Sequence, residues 1–240
     1  IERAERTVAV TGGGYFPVLI RLKDGRLAAV IRGGAPHIGK AGRLDWIESR
    51  DHGRTWSKPR VIVDSEWDDR NPAVGQMRNG TIVVAYAECR AYNAEGKWDP
   101  SAGGFPMFYI LSRDGGKTWS EKRALKAGPI GAVGSPYGRI VLLKDGTALM
   151  SVYGTPAASY EGPGKPPAGS HGDLVGVVRS ADNGETWGDF TLISAADHNE
   201  TAPLPMRDGR VLEALRTGSG QVDVCESADW YNSKFIVSMG

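Results

Sequence analysis

The sequence predicts an all-β chain, a β-propeller of four-stranded antiparallel blades, and three observations carry that expectation. The composition includes 33 Gly, 14 Pro and 7 Trp in 240 residues, which suits many tight turns around a few large aromatic anchors. The pattern S-x-D-x-G-x-T-W occurs as Ser49–Trp56, Ser112–Trp119 and Ser180–Trp187. A strand, Asp-Gly or Asn-Gly turn, strand pattern recurs with turn glycines at Gly25, Gly80, Gly146 and Gly209, spaced by 55, 66 and 63 residues.

Each repeat then reads in the same order. The first begins with Pro17–Arg21 as inner strand, turns at Asp24-Gly25 and returns through Leu27–Val30. The inner and second strands come back around Asn79-Gly80, Asp145-Gly146 and Asp208-Gly209. Third strands are expected at Leu44–Glu48, Met107–Leu111, Leu174–Arg179 and Val222–Glu226, each of the first three running into the octapeptide. Fourth strands follow at Arg60–Val63, Arg123–Leu125 and Thr191–Ile193. Four antiparallel strands per unit of about sixty residues describe a propeller blade.

The octapeptide itself predicts a tight hairpin turn. Its Asp accepts hydrogen bonds from backbone amides a few residues on, its Gly supplies a positive φ, and its Trp buries an indole against the sheet. A calcium loop would need further carboxylates and a closing Glu, which the run lacks. In the fourth repeat, Ser227-Ala228-Asp229 starts such a turn and Trp230-Tyr231-Asn232-Ser233 loses it. The linker Thr155–Asp173, rich in Pro and Gly, is expected to be irregular, either a lid or a plain connection.

Composition narrows the function classes. A formal net charge of +1 gives no electrostatic case for nucleic acid or an anionic membrane surface. No apolar run approaches the roughly 18 residues of a membrane-spanning helix. Cys89 and Cys225 read equally as two buried thiols or one disulfide, no metal-ligand spacing occurs, and no cofactor is expected.

Because the repeats are in register, the starts of the inner strands should gather at one end of the axis. These are Tyr15-Phe16, Asp68-Asp69-Arg70-Asn71, Gly134-Ser135 and His198-Asn199-Glu200. Arg32, His37, Glu88, Arg90 and Arg216, at or after the ends of second strands, should open on the same face. An arginine cluster there suits a carboxylate-bearing ligand, which guanidinium grips with two parallel hydrogen bonds. Glu200 fits a base or an activator of a nucleophile, and Asp45, Asp68, Asp69 or His37 fits a proton donor to a leaving oxygen. The competing reading pairs Arg70 with Asp69 and Arg216 with Glu200 as structural ion pairs.

The three octapeptides resemble the Asp boxes, or BNR repeats, of the sialidase superfamily, whose members are six-bladed β-propellers. Asn199-Glu200 followed by Met206–Leu212 and Arg216 is similar to the segment in which a Glu partners the catalytic Tyr and an Arg clamps the substrate carboxylate. The resemblance implies a single propeller domain over residues 1–240 with about four of six blades, cut short at its C-terminal side. It implies an exo-acting glycoside hydrolase for terminal acidic sugars, with Glu200, Asp45 and His37 as catalytic candidates and Arg70, Arg216, Arg32 and Asp69 as substrate contacts. Tyr15-Phe16-Pro17 stands where the family carries the first arginine of its triad, and Arg70 lies one blade along. That shift points to a uronic acid or another acidic sugar rather than sialic acid, so the expected partner is an acidic glycan or oligosaccharide. The other expectations are a non-catalytic glycan-binding propeller and an inactive truncated fragment. Self-association through open propeller ends is expected in each case, and a secreted or periplasmic location follows from the resemblance alone.

Overall fold

The computed structural model describes residues 6–162, 173–195, 198–227 and 234–239. The regular structure among these residues is all strand, with no helix. The first unit is β1 (Tyr15–Arg21), β2 (Leu27–Gly33), β3 (Arg43–Ser49) and β4 (Arg60–Val63). The second is β5 (Asp68–Gln76), β6 (Ile82–Cys89), β7 (Met107–Ser112) and β8 (Arg123–Ala124). The third is β9 (Ile130–Leu142), β10 (Ala148–Pro156), β11 (Leu174–Ser180) and β12 (Gly188–Ser194). The fourth is β13 (His198–Pro205), β14 (Val211–Thr217), β15 (Val222–Ser227) and β16 (Lys234–Met239).

Within each unit the strands pair antiparallel in chain order, as the turn spacing predicts. The sheets do not all stay separate, however. β5 and β9 pair in parallel through Ala73–Gly138 and Val74–Arg139, which merges the second and third units into one eight-stranded sheet between two four-stranded ones. Gly75 permits this approach, because a Cβ there would collide with the Ile140 backbone. β9 also starts earlier than its sequence pattern predicts, running from Ile130 through Gly138. β16 adds a fourth-unit strand that the sequence pattern did not predict. The interrupted fourth octapeptide at Ala228–Ser233 and the centre of the Thr155–Asp173 linker lie outside the described residues.

The three octapeptides fold alike. In the middle copy, Asp114 accepts from the Thr118 amide at 2.9 Å and from its hydroxyl at 2.6 Å, while the Ser112 hydroxyl donates to Asp114 and accepts the Gly116 amide, both at 2.8 Å. Ser49, Asp51, Gly53 and Thr55 repeat this arrangement, as do Ser180, Asp182, Gly184 and Thr186. Asp51 is held down to about 2, chiefly by the Thr55 hydroxyl and amide. These carboxylates are occupied inside their own turns, which makes the motif a hairpin clamp. Trp119 packs edge-on against Trp46 with ring centres 5.4 Å apart, tying the second unit's turn to the first unit's third strand.

The core lies between facing sheets. Val18, Ile20, Val30, Leu44 and Trp46 of the first unit meet Val74, Val84, Tyr86 and Ile110 of the second. On its other side the second unit gives Ala73, Val83, Tyr109 and Leu111 to a cluster with Ile140, Met150, Val152 and Val178 of the third. β6 is therefore buried at every position and reads as a continuous apolar run from Ile82 to Ala87, whereas β14 alternates. Cys89 and Cys225 are separate buried thiols, which settles the open question of a disulfide.

Candidate functional site

The site is built by one recurrent bend. In three units the inner strand carries a bulge near its start, between Tyr15 and Val18, Arg70 and Ala73, and His198 and Thr201. Phe16 and Asn71 take positive φ values of 50° and 53° there, each followed by Pro. Counting from the turn glycines, Phe16, Asn71, Tyr137 and Glu200 each stand nine residues before Gly25, Gly80, Gly146 and Gly209. Arg32, Ala87, Tyr153 and Arg216 each stand seven residues after the same glycines. Equivalent positions of the four units thus supply the side chains at one end of the inner strands.

At the first-unit side, Asp68 is the hub. Its carboxylate is fully buried and accepts from Arg32 Nε at 2.7 Å, Arg70 Nη1 at 3.2 Å and the Tyr92 hydroxyl at 2.8 Å. Arg32 also donates to the carbonyls of Pro36 at 2.7 Å and Gly39 at 2.9 Å. Arg32 is wholly buried and its donors are spent on protein, so its role here is to hold the following loop. Arg70 keeps one buried guanidinium nitrogen, Nε, without a partner, and its guanidinium carbon lies 5.1 Å from the centre of the Phe16 ring. His37 is exposed and packs on Phe16 and Tyr15, with ring centres 5.3 and 6.0 Å apart.

At the fourth-unit side the arrangement is looser. Arg216 Nη1 donates to Asn199 Oδ1 at 3.0 Å, and its Nε lies 3.7 Å from Glu200 Oε2. The Arg216 side chain is 58% exposed and that of Glu200 28%. Between the two sides, Asn71 Nδ2 donates to Ser135 Oγ at 3.0 Å and to the Tyr153 hydroxyl at 3.2 Å, leaving its buried Oδ1 without a partner. Burial, reinforced by the charge of Glu200, raises the Tyr153 and Tyr137 phenols above their usual range. Glu200 therefore acts electrostatically on two tyrosines from the neighbouring unit.

The remaining sequence-predicted residues stand apart from this cluster. Asp69 alternates to the other face of β5 from Asp68 and Arg70, where it accepts from the Ser65 amide at 2.7 Å and hydroxyl at 2.9 Å. Burial raises it to about 6, with the neighbouring Glu88 pushing the same way. Arg70 is thus paired with Asp68, not Asp69. Asp45 is buried, accepts from Arg43 Nε at 3.0 Å and packs against Gly33. His198 is locked between Ser194 at 2.6 Å and Asp223 at 2.9 Å. Sequence reasoning did not single out Tyr137 and Tyr153. Their common distances from Gly146, matching Glu200 and Arg216 from Gly209, are the signal that would have found them.

The profile of the BNR repeat-like domain matches residues 67–233. The chain belongs to the BNR repeat-like family. No curated protein matches it in sequence. Among solved structures, this BNR repeat-like chain is similar to a protein of unknown function from Dyadobacter fermentans, with TM-score 0.77 and 21% identity over 95% of this chain and 69% of that one. It is also similar to the Hadza microbial sialidase, with TM-score 0.74 and 19% identity over 95% of this chain and 46% of that one. The NanB sialidase of Streptococcus pneumoniae aligns with TM-score 0.71 and 12% identity over 99% of this chain and 54% of that one. The BNR repeat-like chain therefore shares the sialidase fold and spans about half the length of these two sialidases.

Proposed function

We propose that this chain is a sialidase-like β-propeller domain, its four units being blades, and that it cleaves terminal acidic sugars from glycans. The single observation that carries this reading is the pairing of a half-exposed Arg216 with Glu200 beside Tyr137 and Tyr153. Arg216 offers a guanidinium that is only partly engaged by protein, and Arg70 offers a second cation behind Phe16. Together they clamp the sugar carboxylate. Glu200 acts as the base partner in the nucleophilic step, in the manner of the tyrosine-based retaining glycosidases. Of the proton donors expected from sequence, His37 packs on the Phe16 ring that covers Arg70, whereas Asp45 is engaged by Arg43, Asp68 by Arg32 and Asp69 by Ser65. The glycosidic C–O bond breaks, the leaving oxygen takes the donor's proton, and water supplies the hydroxyl to the anomeric carbon while its other proton restores the donor.

Fluorogenic sialoside and glucuronide substrates test this reading with wild type and Glu200→Gln. Turnover of either, falling at least a hundredfold in the variant, supports hydrolysis; no turnover of either sinks it. The second reading, glycan binding without cleavage, is favoured by the commitment of Arg32 and Asp68 to each other. It predicts saturable binding of an intact acidic oligosaccharide with no product released.

A further inference from the structure

We propose a second anion site at the opposite end of the inner strands, near the Asp-Gly turns, that takes a small ligand with a carboxylate, sulfate or phosphate head. A cavity of about 370 Å³ opens there among the inner strands of all four units. Its charged lining consists of Arg21, Lys23 and Arg139, and no Asp or Glu lines it. The volume falls in the range of small-molecule pockets.

Local charge balance explains why these cations stand unneutralised. The carboxylates of the nearby turns are used within their own hairpins. Asp24 pairs with Arg26 at 2.7 Å, Asp208 pairs with Arg210 at 2.8 Å, and Asp145 accepts the Thr147 amide at 2.8 Å. The basic residues beside them reach across to the next unit instead. Lys23 Nζ donates to the Arg78 carbonyl, and Arg78 Nη2 donates to the Lys144 carbonyl at 2.6 Å. Arg21 and Arg139 are exposed, and neither side chain forms a hydrogen bond or ion pair among the described residues.

Arg21 on β1 and Arg139 on β9 therefore face one cavity from two units with no carboxylate between them. An oxyanion in the cavity would meet either guanidinium, each of which can bind it through two parallel N–H donors. Gln76 cannot serve as the anion's substitute, because its Oε1 accepts the Lys23 amide at 2.7 Å and its Nε2 donates to the Gly80 carbonyl at 3.0 Å. The rest of the wall is apolar, including Ile140 and the exposed Leu204, so the ligand presents a charged head and a compact body. This site uses none of Glu200, Arg216 or Arg70 and stands whether or not the proposed hydrolysis does.

Isothermal titration of the full chain at low ionic strength with inorganic sulfate, inorganic phosphate and acetate, none of which carries a sugar ring, tests it. Wild type is expected to saturate at one site with at least one of the three, and the one that binds identifies the head group. Arg139→Gln and Arg21→Gln are each expected to weaken that binding at least tenfold, Arg139→Lys less, and Arg216→Gln not at all. Circular dichroism and the urea midpoint establish that each variant is folded, and either glutamine variant alone carries the result. No saturation by any of the three anions overturns the proposal, as does unchanged affinity in both glutamine variants or a loss that follows Arg216 instead.

Discussion

Arg32 and Arg216 occupy the same place in their units, seven residues past the turn glycine, yet their surroundings have diverged. Arg32 is sealed against Asp68, with two loop carbonyls taking its remaining donors. Arg216 reaches into solvent, held by one amide oxygen and a distant carboxylate. Burial explains the difference. The first unit's loop folds back over Arg32 and brings Gly39 and Gly42 against it, with no room at Gly42 for a side chain. The same repeat position thus yields a buried strut in the first unit and a solvent-exposed, partly engaged cation in the fourth.

The largest expected effect breaks the strut. Asp68→Ala leaves Arg32 buried without its counter-ion, which costs about 3–5 kcal/mol of unfolding free energy, measured by urea denaturation. A loss under about 1 kcal/mol would mean that the buried pair is not a strut.

A second, smaller effect concerns a buried carboxyl of the fourth unit that has no cation. Glu213 on β14 is fully enclosed, accepts from Ser151 Oγ at 2.6 Å across the unit boundary, and leaves Oε2 without a partner. Burial raises it to about 7, above an ordinary value of 4.5. A raised carboxyl favours the protonated form in the fold, so its contribution is fully present below about pH 4.5 and is lost as the pH rises through about 7. Asp69, raised to about 6, adds a slope of the same sign between about pH 4 and pH 6. Glu213→Gln, neutral at every pH, should remove about 3 kcal/mol of that decline between pH 4.5 and pH 8. Parallel wild-type and variant stability curves against pH would contradict this.

The smallest effect on stability belongs to Arg216. Its exposed, partly engaged side chain predicts that Arg216→Gln shifts the unfolding free energy by no more than about 0.5 kcal/mol. Set beside Asp68→Ala in the same urea series, it turns the divergence of the two arginines into one measured contrast.

Most strands were legible because each unit repeats a hairpin turn and an apolar run at similar spacing, and the octapeptide marks where the third strand ends in the first three units. The merging of two sheets was not legible. It depends on a close backbone approach at Gly75, which looks like any strand glycine in sequence. Spacing and resemblance grouped Glu200 with Arg216, and the structure brings the two side chains to 3.7 Å. The roles of Asp68 and Asp69 were not separable, because the strand's pleat decides which of two adjacent carboxylates faces Arg32. Tyr137 and Tyr153 were hidden because a tyrosine in a strand reads as core until the repeats are counted from their turns.

Affinity of the folded chain for an acidic oligosaccharide, compared between wild type and Arg216→Gln, tests the central claim most directly. A loss of at least tenfold with an unchanged unfolding midpoint is expected. Equal affinity in both proteins would contradict it.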